Sequence, residues 1–314
     1  MHDRDVVAEH VINSFKGLPE CCKPTFKEAL SAIYDQNKDS LDQKFKKEIE
    51  TGTLEKIYSC LWELILADKL RSNKDVEILG HKDKGPDWCI NSGGSKFYIE
   101  AVCAQMPDQC SKSEIHRVNE DLEKNRNSSS GNDLVDEVKS RISGVVSTKI
   151  KKHKSLVNMQ DYGYILCVSY GAIPLFSSCD LFHAVQTLLP MGPLTAHFNL
   201  EGTEGKIFYP YNGSFTKPTT GAIIKSDILL DEKNSWISAI LISKVKPLLL
   251  FPCAELIPEI NWNSKNKNDF VLIHNPHAKH KLNNNIFNPR TEISVNLKKE
   301  MLELKGSNIF PSFR

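Results

Sequence analysis

The chain lacks any marked excess of charge and any long apolar run. It contains 40 Lys and Arg residues against 39 Asp and Glu residues, which argues against a generally basic nucleic-acid-binding coat and leaves room only for a local basic surface. No apolar stretch approaches the roughly 18 to 20 residues that cross a bilayer, and the N-terminal segment is charged throughout, unlike a signal peptide. We therefore expect a soluble, cytoplasmic protein without a membrane partner.

Cysteine pairs with metal-binding spacing are also missing. Nine cysteines are present, an odd number, and none of them forms a Cys-x-x-Cys pair. Such a scattered set is typical of reduced, buried thiols in an intracellular protein rather than of a disulfide framework or a zinc site. A phosphate-binding glycine loop and the GxSxG, HExxH and kinase signatures are absent as well. These absences exclude the enzyme classes that carry such motifs.

One stretch of the sequence predicts a β-hairpin with a carboxylate on each strand. Asp87 follows Gly85-Pro86 at the start of the first strand, and Glu100 lies deep in the second. The turn between the strands is rich in residues that tolerate positive φ. Two acidic side chains at one end of a paired ribbon make a hard, oxygen-rich site suited to Mg²⁺ or Mn²⁺. We therefore predict that Asp87 and Glu100 are metal ligands.

The elements around this hairpin follow a defined order. Apolar spacing predicts a helix over about 53–70 and a second helix over about 133–158. A short strand is expected at 76–81 before the hairpin, and a buried strand at 164–170 after the second helix. The resulting order is αβββαβ, which predicts the α/β class with a mixed central sheet flanked by helices.

This order, with Pro86-Asp87 on the second strand and Glu100 on the third, resembles the core of the PD-(D/E)xK, or restriction-endonuclease-like, nuclease superfamily. The resemblance covers residues 53–170, and the segments 237–243 and 270–278 resemble the C-terminal half of uncharacterised bacterial proteins that carry the same Gly-Pro-Asp hairpin. It implies a Mg²⁺- or Mn²⁺-dependent, endonuclease-like phosphodiesterase that hydrolyses nucleic acid, with DNA favoured over RNA. The match is partial, because Val102 occupies the position of the motif lysine.

A lysine on the second helix is the candidate to replace the missing motif lysine. Lys149 and His153 continue the apolar stripe of this helix, so the Lys149 side chain should point toward the sheet. Some members of the superfamily carry their lysine on this helix. Arg141, about two turns earlier, is expected to hold a phosphate bidentately. Lys152, in the basic run 150–154, is expected to add salt-sensitive affinity for nucleic acid.

Glu63 lies in the apolar part of the first helix, where a carboxylate needs a partner. The resemblance implies that Glu63 is the helix carboxylate that many family members add to the catalytic site. The alternative is a buried glutamate paired with a structural Arg or Lys.

The same residues admit two further interpretations of the whole chain. If Lys149 only begins a solvated basic end of its helix, the protein is a catalytically inactive nuclease-fold module that binds its partner without cleaving it. In the second interpretation the chain is an unrelated α/β protein whose hairpin carboxylates are coincidental.

Three regions are expected along the chain. Residues 1–52 should form an N-terminal helical extension, residues 53–170 the core, and residues 171–314 a C-terminal α+β elaboration that packs on the core as part of one structural domain. The sequence leaves the oligomeric state open.

Overall fold

The structure is a computed structural model. It describes residues 3–15, 20–80, 85–105, 131–154, 162–173, 179–192, 195–198, 205–217, 220–244, 270–282, 286–298 and 301–307. Within these ranges, no helix combines the length and apolar character that a bilayer span requires. The cysteines in the same ranges are all free thiols.

In the described part of the chain, four helices precede the first strand and two follow it. They are α1 (Asp3–Ser14), α2 (Lys23–Asn37), α3 (Gln43–Thr51), α4 (Leu54–Ser72), α5 (Gly131–Lys154) and α6 (Leu181–Val185). Local chemistry fixes the start of α3, because the Asp42 side chain accepts a hydrogen bond from the Phe45 backbone N–H at 2.5 Å. Helices α4 and α5 match the two helices that the sequence predicts, although residues 155–158 of the second prediction lie outside the described ranges.

The strands of the described ranges form one large sheet and two small hairpins. They are β1 (Val76–Gly80), β2 (Trp88–Ser92), β3 (Ser95–Cys103), β4 (Gly163–Ser169), β5 (Thr195–Phe198), β6 (Gly205–Phe208), β7 (Ser214–Thr216), β8 (Ile223–Lys225), β9 (Ile237–Ser243), β10 (Phe270–His274), β11 (Thr291–Asn296) and β12 (Met301–Gly306). The large sheet has the order β1-β2-β3-β4-β9-β10-β11-β12, while β5–β6 and β7–β8 pair separately.

The large sheet is mixed. Strands β1, β2 and β3 are antiparallel neighbours, and β3, β4 and β9 run parallel to one another. Beyond β9 the pairing alternates: β10 is antiparallel to β9, β11 is parallel to β10, and β12 is antiparallel to β11. The expected α/β class, a mixed sheet flanked by helices, is therefore confirmed. The order helix, three strands, helix, strand is present from α4 to β4.

Each face of the sheet has its own apolar core. On the first face, α1 to α4 bury their side chains together with Phe97, Ile99 and residues of β9 and β10. On the second face, α5 and α6 pack over Tyr98, Tyr164 and neighbouring strands. Successive side chains of a strand point to opposite faces, so β3 divides its residues between the two cores. Glu100 shares the parity of Tyr98 and therefore lies on the α5 face.

Candidate functional site

Asp87 and Glu100 lie opposite each other across the two strands of the hairpin, β2 and β3. Trp88 pairs with Ile99 in the β2–β3 ladder, so continuing that register by one residue places Asp87 opposite Glu100 on the same face. Because Pro86 has no backbone N–H, the ladder does not extend past Asp87. Instead of a backbone carbonyl, the Oδ2 atom of the Asp87 side chain accepts a hydrogen bond from the Ala101 backbone N–H at 2.6 Å. This bond fixes the carboxylate beside β3.

Helix α5 brings three basic side chains to Glu100, which is only 2% exposed. The Lys149 ammonium donates a hydrogen bond to Oε1 of Glu100, and the Lys152 ammonium lies 3.9 Å from the same oxygen. On the other side of the carboxylate, His153 Nε2 lies 3.2 Å from Oε2. Positions three and four apart share one face of a helix, which explains why these residues converge. The Lys149 side chain therefore points toward the sheet, as its place on the apolar stripe predicts, and its amine contacts Glu100.

His153 is the residue of this cluster to which the sequence assigned no role. It is fully buried, and its ring lies 5.5 Å from the Tyr164 ring, centroid to centroid. Its distance to Glu100 suits an ion pair, yet neither ring nitrogen makes a well-aligned hydrogen bond within the described part of the chain. The Tyr164 hydroxyl has no partner there either. The only sequence signal was its place on the Lys149 stripe, one turn further along α5.

The two hairpin carboxyls differ in acidity. Burial raises the pKa of Asp87, the charge of Glu100 raises it further, and the result is a pKa of about 7. Burial acts in the same direction on Glu100, but the contact with His153 and the charge of Lys149 outweigh it and lower its pKa. Neighbouring acids whose pKa values are driven apart are typical of catalytic sites. Glu100 is therefore ionised at neutral pH, while Asp87 titrates there.

Glu63 lies on α4 and is half-buried. Desolvation is the largest influence that raises its pKa well above the ordinary value, and the negative charges of Asp87, Asp42 and Glu100 add to it. The charges of the two hairpin carboxylates therefore affect the pKa of Glu63, but Glu63 makes no direct hydrogen bond with them. A catalytic role for this residue stays a prediction.

The two expected substrate-binding residues occupy different environments. The Arg141 guanidinium is held by Glu137 on its own helix, with Nε 2.7 Å and Nη2 2.5 Å from Oε1. It lies two turns, about 12 Å, from Lys149 along α5, and the structure does not bring it to the carboxylates. The Lys152 side chain is 58% exposed and still reaches Glu100, so it faces both the carboxylate and solvent.

The donor set at the hairpin fits one class of metal ion. Within the described ranges, no group of three or more His, Cys, Asp and Glu side chains is arranged to hold a metal. Magnesium commonly binds proteins through one or two carboxylates and completes its shell with water and substrate phosphates. Asp87 and Glu100, with Oε2 of Glu100 lacking a well-aligned hydrogen bond, suit that mode of binding. They do not suit a closed zinc site, which needs four ligands.

Comparison of the chain with protein-family models, with curated proteins and with solved structures gave no match in any of the three. The resemblance to the PD-(D/E)xK superfamily therefore stays a prediction.

Proposed function

We propose that the protein is a metal-dependent nuclease-like enzyme with a restriction-endonuclease-like core, which hydrolyses phosphodiester bonds of nucleic acid. The observation that carries the proposal is the Lys149 ammonium seated on the ionised Glu100, opposite Asp87. Two carboxylates on neighbouring strands can hold a divalent ion, and an adjacent amine can act on a water or a phosphate oxygen, so the arrangement suits metal-assisted phosphodiester hydrolysis. The order of elements from α4 to β4 supports the same conclusion.

Asp87 and Glu100 would hold Mg²⁺ or Mn²⁺, which neutralises charge on the scissile phosphate and makes a bound water more acidic. Val102 lies on the same face of β3 as Glu100, so the motif lysine would have pointed into this site. Lys149 supplies that amine from α5 and can orient the attacking water or contact a phosphate oxygen. The exposed Lys152 ammonium attracts the phosphate backbone toward the carboxylates.

The partner is nucleic acid, with DNA as the favoured substrate. Support comes from Lys151, Lys152 and Lys154, which form a local basic end on α5 in a chain that is otherwise close to neutral. A cytoplasmic location belongs to the same proposal, supported by the free thiols of the described cysteines.

One observation favours a second candidate, a module that binds nucleic acid without cleaving it. Both oxygens of Glu100 already have a basic neighbour, Lys149 at Oε1 and His153 at Oε2. Such a cluster can neutralise a buried carboxylate without any metal ion. In that case Asp87 has a structural role, as the acceptor for the Ala101 N–H.

A cleavage assay separates the two candidates. The purified protein is incubated with plasmid, linear duplex, single-stranded DNA and RNA in Mg²⁺, Mn²⁺ or EDTA, alongside Asp87→Asn, Glu100→Gln and Lys149→Met. Lys47→Met is the control, because Lys47 is an exposed lysine of α3 that lies outside the proposed site. We expect metal-dependent cleavage by the wild type and the control, and a loss of about 100-fold or more in the three site variants, as when a group that stabilises the transition state is removed.

Two results would contradict the proposed enzyme. Undiminished cleavage by Asp87→Asn would remove the hairpin from the mechanism. Binding of nucleic acid by the wild type, without cleavage under any of these metal conditions, would establish the binding module instead.

A further inference from the structure

The sheet face that carries Glu100 continues as a row of aromatic and basic side chains. In the β3–β4 ladder, Tyr98 pairs with Tyr164, and Phe97 with Gly163. Continuing this register by one residue places Lys96 beside Tyr162. Lys96 shares the face of Glu100, because the two residues are an even number of positions apart on β3. The Lys96–Tyr162 pair therefore lies on the face of the candidate site, about 13 Å along the strand from Glu100.

Tyr162 is held by the core on one side and reachable on another. Its ring meets the buried Tyr98 ring at 4.9 Å between centroids and an angle of 68°, an edge-to-face contact that fixes its orientation. The Lys96 ammonium lies 5.4 Å from the Tyr162 centroid, over the ring. Tyr162 is only partly buried and Lys96 is exposed, so the lysine can swing away from the ring without loss of packing. The Tyr162 ring therefore has a fixed orientation, and the exposed Lys96 ammonium lies beside it.

We propose that Tyr162 and Lys96 form a stacking site for an unpaired nucleobase and its phosphate, so that the strand entering the Asp87–Glu100 site is single-stranded. This inference rests on the proposed function and specifies its substrate class. Proteins that bind single strands combine aromatic rings, on which bases stack, with basic side chains that follow the backbone. Lys152, whose ammonium lies 3.9 Å from Oε1 of Glu100 and whose side chain is 58% exposed, is suited to a phosphate of the strand next to the carboxylates.

A duplex cannot stack a base on the Tyr162 ring in the same way. Its bases are stacked on one another and paired, so a tyrosine ring can receive a base only where the base is unpaired or at an end. At about 3.4 Å per stacked nucleotide, the separation between Tyr162 and Glu100 spans about four nucleotides. The site would therefore hold a single-stranded segment on one side of the scissile bond.

The test measures binding in EDTA, where metal-dependent cleavage cannot occur. Fluorescence anisotropy follows the full-length protein with a labelled thymidine oligonucleotide and with a duplex of matched length. Tyr162→Ala should weaken single-strand binding by about 5- to 150-fold, the fold-change that corresponds to about 1–3 kcal/mol for one base–aromatic stack. Tyr162→Phe keeps the ring and should bind like the wild type. Tyr211→Ala removes a tyrosine that is 72% exposed elsewhere and serves as the matched control.

Several results would overturn the inference. They are wild-type affinity in Tyr162→Ala, an equal loss in Tyr162→Phe, an equal loss for duplex and single strand, or a wild type that binds neither. Thermal unfolding of each variant identifies a loss caused by misfolding. Ring-dependent binding of single strands by a protein that cleaves nothing would keep the stacking site and reject the hydrolase. Cleavage by a protein whose binding ignores Tyr162 would do the reverse.

Discussion

At the scale of single residues, the buried carboxylate of Glu100 is the most demanding group in the site. A charge removed from water is tolerated only when oppositely charged groups and hydrogen bonds replace its hydration. Lys149, Lys152 and His153 share this task, and all of them come from the last part of α5. The free energy of unfolding should therefore depend on the Lys149–Glu100 pair.

Lys149→Met should lower the free energy of unfolding by about 1–3 kcal/mol, because it leaves a buried charge with poorer compensation. In the double variant with Glu100→Gln the charge itself is gone, so the two effects should not add, and a coupling of about 0.5–3 kcal/mol is expected. Urea denaturation of the four proteins at pH 7 measures this coupling. Lys152→Met, at a mostly exposed position, should change stability by no more than about 0.5 kcal/mol. Strict additivity of the two single substitutions would show that the pair carries no stabilising interaction.

The acidity of Asp87 gives a pH dependence of defined sign. Its pKa is about 7 in the folded protein, above the ordinary value of 3.8, so the folded state binds more protons than the unfolded state between these values. Stability contributed by this group is present below pH 4 and is lost as the pH rises toward 7. Asp87→Asn should remove that part of the decline, which urea midpoints of both proteins measured from pH 4.5 to 8 would reveal. Parallel pH profiles of the two proteins would contradict the assignment.

Sequence periodicity was sufficient to predict how the main site residues are oriented. The hairpin pattern, with its Gly-Pro entry, put Asp87 and Glu100 at one end of the paired strands, and the helical stripe directed Lys149 toward the sheet. The pairing of Arg141 with Glu137 was missed, although Glu137 lies four positions earlier on the same helix, a spacing at which opposite charges commonly pair. The contact of His153 with Glu100 was not predictable from sequence, because a side chain with several reachable partners chooses among them by local rotamer geometry.

At the scale of elements, a hydrogen bond from the Trp62 indole connects helix α4 to β4, in the middle of the sheet. Trp62 on α4 is fully buried, and its Nε1–H donates to the Cys167 carbonyl of β4 at 3.0 Å, across 105 residues of chain. Trp88 on β2 is also buried, but its Nε1 has no hydrogen-bond partner within the described ranges. Comparing substitutions of Trp62 and Trp88 therefore separates the contribution of the indole hydrogen bond from that of core packing.

Trp62→Phe should destabilise the protein by about 1 kcal/mol more than Trp88→Phe. Both substitutions remove similar volume from a core, but only the first removes a buried hydrogen bond. Chemical denaturation followed by far-UV circular dichroism measures the difference, since the remaining tryptophans complicate fluorescence. Equal losses, or a larger loss in Trp88→Phe, would show that the hydrogen bond adds nothing to the packing.

The sequence predicts the elements of the core better than their assembly. The helices at 54–72 and from 131, and the strands of the hairpin, follow from local apolar spacing and turn chemistry. The extension of the sheet through β9, β10, β11 and β12 does not, because pairing between strands far apart in the chain depends on shape and register that no local window contains.

At the scale of the whole molecule, a nearly neutral chain with a few clustered lysines should bind nucleic acid with a shallow salt dependence. Contacts from Lys96, Lys151, Lys152 and Lys154 to a single strand would release about 0.7 counterions each, a slope of about −3 in log K against log salt. Lys152→Ala should reduce the slope by about 0.7, whereas Lys47→Ala, an exposed lysine of α3, should leave it unchanged. Titrations at several salt concentrations test this, and equal effects of the two variants would argue against a localised contact surface.

The position of β4 in the middle of the sheet has a consequence for any shortened form of the protein. Its seven residues are buried on both faces, with β3 on one edge and β9, which begins only at Ile237, on the other. A polypeptide that stops after Tyr170 would contain every residue proposed for hydrolysis but would present a bare, apolar strand edge to its neighbours. Unprotected edges of this kind template intermolecular β-pairing. We therefore expect such a fragment to aggregate when it is expressed, because β9 and the strands beyond it cover this edge of β4 in the full chain.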